Sequence, residues 1–67
     1  MTAVEVNGEP WEGSPGVTVT ELVTAWCASP RGIAVARNGE VVPRSAWAHT
    51  VLGPGDRIEI VTAAAGG

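Results

Sequence analysis

Asn7-Gly8 and Asn38-Gly39 each interrupt an alternating apolar stretch. A type I′ turn needs positive φ at both central residues, which Asn and Gly tolerate and most residues resist. A chain with two such turns is committed to two tight hairpins, and so to antiparallel strand pairs. Val4 and Val6 alternate with Ala3, Glu5 and Asn7, which predicts a strand from about Thr2 to Asn7. Its return strand passes through Trp11 and Glu12. Pro10 has no N–H to give a ladder, which places that strand at a sheet edge. Ile33 to Arg37 reads as a third strand with Ile33 and Val35 inward, and Glu40 to Val42 as its return.

A helix separates the hairpins. Thr18-Val19-Thr20-Glu21 fits the reciprocal capping box, with Val17 and Leu22 placed as a hydrophobic staple across the first turn. Val19, Leu22, Val23 and Trp26 recur at the spacing of one buried helix face. Pro30 and Gly32 cannot continue the helix, which is expected to end near Ala28. After Pro43, Ser45 to Ala48 reads as one helical turn capped by Ser45. Gly53-Pro54-Gly55-Asp56 is a turn, and Arg57 to Thr62 alternates as the last strand. The order is ββαββ, with a short helical turn before a final strand. Its expected class is α+β, and the order matches the β-grasp, or ubiquitin-like, arrangement. Residues 1–62 are expected to form that domain, and residues 63–67 a flexible tail.

Size and charge remove several function classes. A chain of 67 residues accommodates one domain and buries only about 60% of its unfolded surface, which leaves little room for a catalytic cleft. A net charge of −3, with 4 Arg and no Lys, argues against binding nucleic acid. One Cys closes no internal disulfide, and one Cys with one His falls short of a zinc site. Neither a membrane-length apolar run nor a signal-peptide pattern is present, so a cytoplasmic location is expected.

Individual side chains offer little chemistry. Cys27 sits near a helix C-terminus, away from the helix N-terminus or basic neighbour that activates a thiol, and reads as a small apolar filler. His49 has no Ser, Cys or Asp at a spacing that marks a catalytic set, and reads as a surface residue. Trp26 belongs to the helix core face, and Trp47 plugs the sheet. Trp11, between charged neighbours in an edge strand, is the best aromatic candidate for a partner contact. The tail Ala63-Ala64-Ala65-Gly66-Gly67 is different, because no folding rule asks for Gly-Gly after a strand. Extended, five such residues reach about 17 Å at about 3.3–3.6 Å each. With no side chain beyond a methyl, they suit a narrow channel in a partner. Ala65 and Gly66 would give access, and a carboxylate at Gly67 would need activation, for example as an acyl-adenylate.

Taken together, the chain resembles the ThiS family, the sulfur carriers of thiamine thiazole synthesis. The match is carried by Val6-Asn7-Gly8-Glu9-Pro10, Val19 to Val23, Pro30 to Ala36, Asn38 to Ser45, Trp47, Gly55 to Val61 and Gly66-Gly67. It departs from the family at Trp11, where a polar residue is common, and in the three alanines before Gly66. The resemblance implies no catalytic residue and no bound cofactor. It implies an ATP-dependent, E1-like adenylating enzyme that activates Gly67. A cysteine desulfurase or other sulfur donor would then convert it to a thiocarboxylate, and thiazole synthase would take the sulfur. The candidate docking surface is the exposed sheet face, with Val61 and the outward residues of the Ile33–Val42 hairpin. Two alternatives share the same tail chemistry: a carrier like the small subunit of molybdopterin synthase, and a ubiquitin-like modifier joined to a lysine. A plain interaction domain is a third.

Overall fold

A computed structural model describes residues 1–27 and 31–62. The chain runs β1 (Thr2–Val6), β2 (Glu9–Gly13), α1 (Val19–Trp26), β3 (Ile33–Arg37), β4 (Glu40–Val42), a 3-10 helix (Arg44–His49) and β5 (Arg57–Thr62). Both hairpins form as their turn chemistry requires. Asn7 and Gly8 have φ of 51° and 83°, and Asn38 and Gly39 of 51° and 87°. The positive φ at Asn7 also ends β1 one residue earlier than the alternation predicts.

The sheet has five strands in the order β2-β1-β5-β3-β4. β1 and β5 are parallel neighbours at the centre, and the other pairs are antiparallel. With α1 across one face, this is the expected α+β, β-grasp arrangement. β2 lies at an edge, as Pro10 requires. Along β1, Thr2, Val4 and Val6 are buried while Ala3 and Glu5 are exposed. Along β5, Ile58 and Ile60 point the same way, into the core. They meet Val19, Leu22 and Val23 of α1, together with Val17, Val35, Trp47 and Leu52.

The helix is set from its N-terminus. The Thr18 hydroxyl accepts from Glu21 N at 3.3 Å, and the Glu21 carboxylate accepts from Thr18 N at 2.9 Å. Val19 N donates to Thr50 O, and Leu52 N to Val17 O, which ties this end to the segment before β5. Helical geometry stops at Trp26, and Cys27 is already extended at φ −120°. Ala28, the expected end, lies outside the described residues.

Two expectations are corrected. The short helix is a six-residue 3-10 segment whose N-cap is Pro43, with no side-chain cap; Ser45 lies inside it and does not cap it. Proline's fixed φ of −61° starts the segment without a capping hydroxyl. Trp26 packs against the core yet is only half-buried, because it stands at the last helical position.

Candidate functional site

The helix covers one face of the sheet and leaves the other open. On the open face, Ala34 stands beside Val61, and Ala36 between Val41 and Glu59. Val41 and Val61 on that face are 75% and 57% exposed. Small alanines between two valines make a shallow concavity of about 540 Å³. Asn7, Glu5, Arg57 and Glu59 border it. The Arg57–Glu5 ion pair at 3.9 Å is largely exposed and contributes little to stability. The concavity is an apolar patch bordered by polar and charged side chains.

Trp11 does not belong to this face. It pairs with buried Val4, so its side chain lies on the helix side of the sheet, packed against the core and half-buried. Its ring lies across Gly13, where an added Cβ would come within 2.6 Å of it. Trp11 and Val61, both candidate partner residues, therefore sit on opposite faces. Cys27 is free and half-buried at the C-cap of α1, and His49 is exposed at the end of the 3-10 helix. Trp47 plugs the core as expected. Its indole Nε1 donates to Val42 O at 2.9 Å, and Arg44 lies 4.6 Å from its ring. Gly67, Gly66 and Ala65 lie outside the described residues.

β5 leads toward that tail, and the polar side chains of both hairpin turns, with Asp56, hold it. Asn7 Oδ1 accepts from Ile60 N at 2.8 Å, and its Nδ2 donates to Ile60 O at 3.1 Å. Asn38 Oδ1 accepts from Arg57 N at 2.9 Å. Asp56 accepts from Gly53 N and Arg37 Nε, each at 2.8 Å, and from Asn38 Nδ2 at 3.1 Å. Burial pushes the Asp56 carboxyl up. The Gly53 N–H, the bonds from Arg37 and Asn38, and the Arg37 charge outweigh it and hold the pKa below the usual value. The sequence signal for the asparagines was their identity: Gly-Gly would serve either turn, but only an amide also reaches across to β5.

The ThiS family model matches residues 4–67, from the first strand through both terminal glycines. The chain belongs to the ThiS family. It is 34% identical to the sulfur carrier protein ThiS of Escherichia coli, over 91% of this chain and 92% of that protein. Its fold matches the crystal structure of the thiamine biosynthesis protein ThiS of Geobacter metallireducens with a TM-score of 0.79 and 35% identity, covering 90% and 91% of the two chains. It is also 39% identical to a thiazole synthase of Paramagnetospirillum magneticum over 92% of this chain. The ThiS-like chain spans only 19% of that protein's length. Among the described residues of this ThiS-family member, no helix is long and apolar enough to cross a membrane.

Proposed function

We propose that the chain is a sulfur carrier protein of thiamine biosynthesis, a protein cosubstrate whose reactive group is the C-terminal carboxylate of Gly67. The observation that carries this reading is its likeness to the E. coli sulfur carrier over nearly the whole length of both chains. The family match continues through Gly66 and Gly67, where the chemistry would occur.

A carboxylate is a poor electrophile. An E1-like enzyme would transfer adenylate from ATP to Gly67 and release pyrophosphate. A sulfur nucleophile would then attack the acyl carbon and expel AMP, leaving a thiocarboxylate. With no Cβ at Gly66 or Gly67, catalytic groups can approach the acyl carbon closely, and Ala65 adds only a methyl. Thiazole synthase would pass the sulfur to its acceptor, with an oxygen from the acceptor or from water taking its place on the acyl carbon, and so return the carboxylate. Its partnership is supported by the thiazole synthase sequence that contains a segment similar to this chain. The cycle would run in the cytoplasm. The open face around Val61 and Val41 would dock the body while the tail enters the partner's active site.

Intact mass spectrometry after incubation with the adenylating enzyme, ATP and a sulfur donor tests this. One oxygen should be replaced by one sulfur in the C-terminal fragment, and removal of Gly67 should abolish the change. Thiazole formation that continues at the wild-type rate without Gly67 refutes the proposal. Adducts on lysines of other proteins, with no thiocarboxylate, would support the modifier reading instead.

A further inference from the structure

Both hairpin turns carry the same three residues, Asn7-Gly8-Glu9 and Asn38-Gly39-Glu40. Asn-Gly is a chemically fragile pair. The glycine backbone nitrogen can attack the amide carbon of the asparagine before it, because no Cβ on glycine blocks the approach. A bond forms between glycine N and asparagine Cγ, closing a succinimide ring, and the Cγ–Nδ2 bond breaks. The proton of the attacking N–H passes through solvent to the departing nitrogen, which leaves as ammonia. Water then opens the ring at either carbonyl, giving aspartate or isoaspartate. Overall, water is consumed and ammonia released, with no oxidation or reduction.

The fold restrains the two sites unequally. While both polar atoms of an amide are engaged, the side chain is not free to turn onto the glycine nitrogen. Asn7 accepts from Ile60 N and donates to Ile60 O, in a part-buried setting. β1 itself pairs only with Arg57 and Ile58 of β5, so freeing the Asn7 amide strips both Ile60 groups of their bonds on that side. Leaving a half-buried donor and acceptor unpaired is costly. The bonds of Asn38 are exposed. Its Oδ1 accepts from Arg57 N and its Nδ2 donates to Asp56 Oδ1. When they break, water can reach Arg57 N, and Asp56 still accepts from Gly53 N and Arg37 Nε. The hairpins differ in the same direction. Three residue pairs close β3–β4, and five close β1–β2.

We propose that Asn38 is a site of spontaneous, ammonia-releasing modification in the folded chain, and that the bonds to Ile60 shield Asn7 from the same reaction. Either product alters the β3–β4 turn. Aspartate at position 38 replaces the donor 3.1 Å from Asp56 with a second carboxylate. Isoaspartate takes Cβ into the main chain, which a two-residue type I′ turn does not accommodate. The pairing of Arg37 with Glu40 and of Ala36 with Val41 depends on that turn, so the open face around Val41 changes with it.

The test follows the wild-type chain in mildly alkaline buffer, folded and in guanidinium chloride. Proteolytic mapping by mass spectrometry measures the exchange of NH2 for OH at each asparagine. In denaturant the two sites should react within about twofold of each other, since both read Asn-Gly-Glu and their hydrogen bonds are gone. In the folded chain Asn38 should react about tenfold faster than Asn7, because its turn opens at lower cost. A folded chain in which Asn7 reacts as fast as Asn38 or faster overturns the proposal. So does one in which Asn38 stays intact while the denatured chain reacts. Asn38→Asp, the aspartyl product made directly, should unfold at a lower urea concentration than wild type at neutral pH. Equal midpoints would overturn the predicted clash with Asp56.

Discussion

Asp56 receives hydrogen bonds from Gly53, Arg37 and Asn38, and its side chain is only 12% exposed. It joins the β3–β4 turn to the loop that starts β5. Because its folded-state pKa lies below the usual 3.8, the fold favours the ionised form. That contribution is complete above the unfolded-state value. It is lost as pH falls through and below 3.8 toward the folded-state value, where the unfolded chain takes up the proton first. Asp56→Asn should therefore cost about 1–3 kcal/mol at neutral pH, by weakening the bonds to Arg37 and the backbone. The variant's stability should also change less than the wild type's between neutral pH and pH values under 3.8. Urea denaturation across that range measures both effects.

At the scale of elements, α1 has only eight residues, too few to be stable alone. Its capping box and its buried stripe of Val19, Leu22 and Val23 hold it in place. Thr18→Ala should cost about 1 kcal/mol and Thr18→Ser much less, since serine keeps the accepting hydroxyl. Thermal melting of the pair distinguishes loss of the cap from loss of the threonine methyl. The 3-10 helix answers to a different constraint. It places Trp47 between α1 and the sheet and joins its indole to Val42 O, and no polar cap starts it.

At the scale of the whole molecule, the sheet has two unlike faces. α1 and the core occupy one face, and a shallow apolar hollow with Val61 and Val41 occupies the other. Core burial is thereby confined to the helix side, so residues of the open face, proposed above to dock a partner, can change without unfolding the body. Val61→Asp should alter stability by no more than about 0.5 kcal/mol, because the side chain is already mostly in water. The same change should raise the KM for thiocarboxylate formation by about tenfold if this face docks the adenylating enzyme. Trp11→Ala is the contrasting variant. Trp11 packs on the helix side, and its loss should appear in stability first.

The sequence by itself determined what nearest neighbours along the chain decide. Positive φ at Asn-Gly made both hairpins, Thr18 and Glu21 capped the helix, and Pro10 sent its strand to an edge. Alternation identified the inward residues of β1 and β5, since a period of two depends only on the pleat. Motifs along the chain made the family legible. Tertiary structure decided what depends on residues far apart in the chain. It set β1 and β5 side by side, and thus let Asn7 bond Ile60. It brought Asp56 to Arg37 and Asn38, drew Leu52 into the core, and put Trp11 and Val61 on opposite faces. Local patterning constrains dihedral angles and the face on which a side chain lies. Strand order and the reach of a side chain across the sheet are fixed only when the separate elements pack against one core.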